Sequence, residues 1–172
     1  MTVRLETDRL ILRRPEPRDA DGFIAFYLTD RARFVGQTDR RHQAWLNFAA
    51  EIGHWEIRGW GMFAVEAKKA GRCVGIVGPF YPDGWPEHEI GWLVWPEAEG
   101  RGIAHEAALA ARHYAKAELG WHRPVSYIDP KNTRSIALAE RLGCTRDPDA
   151  AVPDGDTPET CLVYRHPAPE AQ

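Results

Sequence analysis

Apolar residues recur with two different periods along this chain. Glu89-Ile90-Gly91-Trp92-Leu93-Val94 is a bulky run stopped by Pro96, which predicts a strand; from about Ile103 to Leu119 an Ala-rich stretch with helical spacing predicts a helix ended by Gly120. Upstream, Leu10 and Leu12 set against Arg9, Arg13 and Arg14 predict a half-exposed edge strand that Pro15 terminates. Ala20, Phe23, Ile24 and Tyr27 form the stripe of a first helix ending near Thr29-Asp30. A second helix, from about Asp39 to Arg58, buries Trp45, Phe48, Ala49 and Ile52, with His42 and His54 as surface or boundary residues. Met62–Ala67 and Cys73–Gly78 read as an antiparallel hairpin broken by Gly78-Pro79, and Phe80–Pro86 as an aromatic loop leading into the central strand. Val125–Ile128 is a short strand, and Asn132–Gly143 a helix with Ile136, Ala139 and Leu142 in register. Residues 147–159, rich in Pro, Asp and Gly, predict a long mobile loop; Thr160–Arg165 closes as a strand, and 166–172 is a frayed tail. The pattern is a mixed sheet with helices inserted between its strands, in one domain spanning 1–172.

The turn between the central strand and its helix is where chemistry first enters. Gly100, Gly102 and Ala104 leave the main chain bare at the start of a helix, where unpaired N–H groups attract anions such as a pyrophosphate. The spacing is neither that of a P-loop nor that of a dinucleotide fingerprint. Taken alone, a tight connection without any ligand accounts for this turn equally well.

Composition narrows the field. A formal net charge of −3 gives no pull towards nucleic acid, and neither an apolar leader nor a membrane-length apolar segment is present, so the expectation is a cytoplasmic protein without membrane or nucleic-acid partners. Cys73, Cys144 and Cys161 are too widely spaced for a zinc site and suit reduced core thiols, so no metal is assigned. A homodimer is compatible with the sequence.

Three stretches in this order, Leu5–Arg13, Glu89–Trp92 followed by Gly100–Ala107, and Asn132–Gly143, resemble the GNAT superfamily of acyl-CoA-dependent N-acyltransferases, and most closely its ribosomal-protein N-terminal acetyltransferase branch. The resemblance implies an α/β fold whose mixed, mostly antiparallel sheet splays between the fourth and fifth strands. It implies acetyl-CoA as donor: the pyrophosphate on Gly100, Arg101, Gly102, Ile103 and Ala104, and the pantetheine on backbone of Leu93 and Val94 and on Asn132. The family signature Gln/Arg-x-x-Gly-x-Gly/Ala falls on Glu99–Ala104, so Glu99 departs from it at the first position.

Acetyl transfer to an amine needs a neutral nucleophile, a stabilised oxyanion and a proton for the departing thiolate. Glu89, at the head of the central strand, resembles the carboxylate that serves as base in many relatives; an ordinary strand carboxylate is its structural alternative. Its loss should matter most at low pH, where free amine is scarce. His88 points away if the strand is regular, and Glu106 is explained by its place in the first turn of a helix. No tyrosine occurs in 132–143, so Ser135, which matches the Asn-x-x-Ser pattern of the ribosomal branch, is the candidate acid, with helix capping as its alternative role. Phe80, Tyr81, Trp85, Trp92, Trp55 and Trp60 are the candidates to line a pocket for a cationic amine, either a small molecule or a protein N-terminus. The expected function is acetyl-CoA-dependent N-acetyl transfer; the alternative is a non-catalytic acyl-CoA-binding sensor or assembly module.

Overall fold

The computed structural model describes residues 3–168. Its strands are β1 (Arg4–Glu6), β2 (Leu10–Arg13), β3 (Phe63–Ala67), β4 (Arg72–Phe80), β5 (Glu89–Val94), β6 (Val125–Ile128), β7 (Thr145–Arg146) and β8 (Leu162–Arg165). The helices are α1 (Ala20–Tyr27), α2 (Arg41–Arg58), α3 (Ile103–Leu119) and α4 (Thr133–Arg141). All the strands join one sheet in the order β1-β2-β3-β4-β5-β6-β8-β7, antiparallel except where β5 meets β6. Ala107, Ala108 and Ala111 of α3 are fully buried, and such small side chains let the helix lie close on β4 and β5.

Several elements differ from the sequence expectation. The N-terminal strand folds back on itself: Thr7–Arg9 is a turn, β1 is the edge, and β2 is interior, with Leu10 and Leu12 fully buried. Arg13, which read as solvent-facing, is buried because it is paired: its guanidinium donates to Asp19 at 2.8 and 2.9 Å and to Glu66 at 3.0 Å. Gly78-Pro79 does not end β4, which continues to Phe80. β3 stops at Phe63 opposite Val77, so beyond that point β4 needs ladder bonds on one side only, where proline is tolerated.

The buried face of α2 is rotated from the expected one. Ala44, Phe48, Glu51 and Trp55 make the seam, whereas Trp45 is 52% exposed. His54 is buried as well, its Nδ1 2.9 Å from the Trp60 carbonyl while its Nε2 accepts from the Tyr81 N–H at 3.0 Å. That pairing fixes a neutral ring, and burial lowers its pKa.

At the C-terminal end the two-residue β7 lies outside β8 and was not foreseen. Residues 147–159 contain no regular element, and this segment is tied down by Asp147, which accepts from Arg165 at 2.6 Å, and by the Asp154 N–H, which donates to the Gly84 carbonyl. His166, expected to open a frayed tail, is completely buried. Its N–H donates to the Pro124 carbonyl, and its ring lies 3.0 Å from Ser126 Oγ; burial and the nearby Arg112 lower its pKa to about 3. Residues 169–172 of that tail lie outside the described residues.

Candidate active site

β5 and β6 meet at a single register pair, Glu89 with Val125, closed by a bond from the Val125 N–H to the His88 carbonyl at 2.9 Å. Ser126 Oγ donates to the Ile90 carbonyl at 2.6 Å, so a side chain makes the next link. Beyond it the strands part: β5 stays with β4 as far as Val94 opposite Gly75, and β6 stays with β8 as far as Ile128 opposite Leu162. Residues 91–94 thus keep one unpaired backbone edge. A cleft of about 1080 Å³ opens there, running past Trp92, Leu93 and Val94 to the N-terminus of α3 and the start of α4.

The turn at its mouth is bent by two glycines with left-handed backbone, Gly100 (φ 70°) and Gly102 (φ 74°), a conformation costly for any residue with a Cβ. Gly102 is the N-cap of α3 and offers no side chain to the first-turn N–H groups. Gly100, Gly102, Ile103 and Ala104 all line the cleft. Arg101 does not; its carbonyl accepts from Arg9 at 2.8 Å on the outer side. Glu106 in the first turn of α3 is taken up by Thr7 and Arg9, the latter at 2.6 Å to Nε, and holds the β1–β2 turn in place. Glu99 is bound between Arg31 and Arg134, so its charge is compensated at the cleft wall.

On the α4 side Asn132 caps the helix by accepting from the Ser135 N–H at 3.3 Å. Ser135 Oγ accepts from Trp92 Nε1 at 3.1 Å, which leaves its own O–H free to donate into the cleft.

Glu89 stands apart from the lining residues, at the closed end of the splay and only 9% exposed. Trp85 Nε1 donates to its Oε2 at 2.6 Å, and burial pushes its carboxyl up to about 7. Sequence reasoning missed its neighbour Glu51 on α2, 7% exposed, with Oε2 lacking any hydrogen-bond partner. Burial, and then the charge of Glu89, push Glu51 up to about 8. The available signal was a carboxylate in helical register with Phe48 and Trp55, inside an apolar seam. Tyr127 on β6 also carries a buried hydroxyl without a partner, and burial followed by the nearby acidic charges raises its pKa.

The aromatic residues do not gather into one pocket. Trp55 packs in the core against Phe63, its N–H on the Met62 carbonyl, and Trp92 turns to Ser135. Trp60 and Tyr81 join His88 and Trp121 in a cluster, with the His88 ring stacked on Trp121 at 4.3 Å, and His54, edge-on to Trp60 and stacked on Phe80, links it to Phe80 and Trp85. Only Trp85, edge-on to Phe80, accompanies Glu89. The thiols of Cys73 and Cys144 are raised by burial to about 11, and that of Cys161 to about 12, so none is poised as a nucleophile.

A mixed sheet parted beside a helix that begins on bare glycine backbone is the architecture of an acyl-CoA-dependent transferase. The chain belongs to the GNAT acetyltransferases: the family described as "Acetyltransferase (GNAT) domain" matches residues 9–145. The acetyltransferase from Agrobacterium tumefaciens str. C58 is 36% identical, with a TM-score of 0.86 over 95% of this chain and 94% of that one. The uncharacterized protein YkkB of Bacillus subtilis (strain 168) is 30% identical across 82% of this chain and 84% of its own. RimL, a ribosomal L7/L12 alpha-N-protein acetyltransferase solved in complex with coenzyme A, shares the fold at 18% identity and a TM-score of 0.71, over 95% of this chain and 97% of its own. The family implies acetyl-CoA as the acyl donor. Among the described residues no helix is long and apolar enough to cross a membrane, and no group of three or more side chains could hold a metal ion.

Proposed function

We propose that the protein transfers the acetyl group of acetyl-CoA to a primary amine by direct attack, with Glu89 taking a proton from the amine and Ser135 giving one to the sulfur. The observation that carries this reading is the buried Glu89, held at about 7 where the two strands begin to part. A base is most effective when its pKa lies near the working pH, and an ordinary exposed glutamate near 4.5 would be far weaker.

The cleft suits the donor. A side chain added at Gly100 would meet nothing within 4 Å, so the turn is open to a phosphate, and the cleft lining carries more cations (Arg31, Arg33, Lys131, Arg134, Arg141) than carboxylates (Asp30, Glu99, Glu140). The unpaired edge at Leu93 and Val94 offers ladder positions to an extended amide-bearing chain, and Asn132 stands across from it.

The steps balance as follows. The acceptor's ammonium form first loses one proton to solvent through water, and the freed lone pair forms the C–N bond at the thioester carbonyl while ionised Glu89 takes the second nitrogen proton. The C–S bond breaks with its electrons on sulfur, Ser135 protonates the thiolate, and Glu89 returns its proton through water to Ser135.

RimL acts on a protein N-terminus, so N-terminal peptides belong among the acceptors tested, beside polyamines, amino acids and aminoglycosides. The test is thiol release from acetyl-CoA across that panel. Acceptor-dependent release, with the acetylated amine identified by mass, is expected; binding of acetyl-CoA without release on any amine would leave a non-catalytic acyl-CoA module.

A further inference from the structure

Among the described residues, buried side-chain polar atoms without a partner occur at three positions, and two of these, Glu51 Oε2 and Tyr127 Oη, belong to residues flanking Glu89. Leaving a buried carboxyl oxygen unpaired is expensive, and native interiors rarely tolerate it without a ligand or water to complete it. Glu51 is not a chance surface group turned inward. It occupies the seam of α2 between Phe48 and Trp55, in a position the helix register forces towards the sheet.

We propose that Glu51 and Glu89 together form the receptor for the acceptor's ammonium group, so that Glu51 is an acceptor-binding residue and the enzyme selects cationic amines. This deepens the acetyl-transfer reading and rests on it. Two carboxyls coupled in a dry site hold one proton between them over a range of pH, and the pair then carries a single negative charge. One ammonium neutralises that charge, and its several N–H donors suit both the unpartnered oxygen of Glu51 and the carboxylate of Glu89, which Trp85 and the Tyr127 N–H hold in place. Charged and titratable neighbours agree with this. Tyr27 of α1 faces Glu51, while Tyr127 and Cys161 face Glu89, all three raised by their surroundings and therefore neutral; among the described residues no cation offsets either carboxyl. A site that is acidic, dry and free of its own cation is complementary to a positively charged guest. A neutral nucleophile, such as an alcohol, would leave the charge uncompensated.

Two measurements on the full chain test the pair. In protein labelled with ¹³C at the glutamate carboxyls, two resonances should titrate together near neutrality, and methylammonium chloride should move both. In Glu51→Gln one resonance disappears and Glu89 keeps its midpoint, whereas in Glu89→Gln the Glu51 midpoint falls, because the charge that repelled it is gone. If both carboxyls titrate in the ordinary range near 4.5, or methylammonium moves neither, the receptor does not exist, whether or not the protein is active. With any amine the parent acetylates, Glu51→Gln should raise the amine KM by about 10- to 100-fold, the scale of a lost hydrogen bond to a charged group, and leave the acetyl-CoA KM unchanged. Glu51→Asp, which keeps the charge and retracts it by one methylene, should fall between. An amine KM within twofold of the parent in Glu51→Gln overturns the proposal; if that variant does not fold, the parent titration decides. Failure of the acetyl-transfer reading looks different: both carboxyls bind methylammonium, yet no amine is acetylated.

Discussion

Replacing Glu89 by Gln should remove most of the turnover above neutral pH and progressively less below it. Glu89 lies at about 7 because burial disfavours its charge, so about nine tenths of it is ionised at pH 8 and about one tenth at pH 6. A positioned base contributes about 10²- to 10⁴-fold, and at pH 8 the parent should exceed the variant by that factor. At pH 6 the parent retains only a tenth of its active form, and the ratio should shrink by about tenfold, then by about another tenfold at pH 5. The acceptor's own ionisation alters parent and variant alike and cancels when one rate is divided by the other. This reverses the expectation from sequence, which placed the largest effect at low pH: that argument counted the free amine and assumed a carboxylate ionised throughout. The assay is kcat/KM for one productive amine from pH 5 to 9.5, in mixed buffers of constant ionic strength, with acetyl-CoA saturating. A ratio that stays flat across this range, or grows towards acid, would refute the role of Glu89 and return it to an ordinary strand carboxylate.

Other outcomes follow from the same geometry. Glu51 is raised in the folded state from 4.5 to about 8, so the stability tied to its proton is complete below 4.5 and lost as pH rises through about 8; this amounts to a cost on the order of 5 kcal/mol. Glu51→Gln should therefore melt higher than the parent at pH 9, with a gap that narrows towards pH 5, and a gap independent of pH would contradict the raised carboxyl. Glu99→Gln frees Arg31 and Arg134 from their shared partner and should tighten CoA binding about two- to fivefold at low salt, an advantage that 0.5 M NaCl removes in a calorimetric titration. Gly102→Ala places a Cβ at φ 74° and 3.4 Å from Arg9 Nη2, at a cost of about 1–2 kcal/mol. It should weaken CoA binding by reshaping the first turn of α3, whereas a fully retained affinity would show that the turn does not carry the phosphates.

How much of this was legible in the sequence depended on whether a residue's neighbours lie along the chain or across it. The turn at Gly100 and Gly102 is local, set by the end of β5 and the beginning of α3, and was readable as a bare helix N-terminus. The cap of α4 was readable for the same reason, since Asn132 meets Ser135 three residues on. The status of Arg13 was not, because its burial depends on Asp19 and on Glu66, a strand away. The seam of α2 was misread because Trp45 offers far more apolar surface than Ala44, while the true seam contains a carboxylate that hydrophobicity scales count as exposed. His166 has no local signature at all; it is buried by Pro124, Ser126 and Arg112, all from elsewhere in the chain.

The misread residue on α2 is also the one with the most chemical content, and the two facts have one cause. Local preference, apolar pattern and polar satisfaction normally agree, and a position that breaks the agreement without a compensating contact is held there for something other than stability. Arg13 breaks the pattern but is compensated in full by two carboxylates, so it is explained within the fold. Glu51 breaks it and is not compensated: one oxygen has no partner, and the charge that acts on it is another carboxyl. A leucine or methionine of similar volume would cost the fold nothing and would relieve the repulsion. What the carboxyl adds should therefore appear when a third charge is present, and on the proposed amine-transfer reading the charge that arrives is the acceptor's.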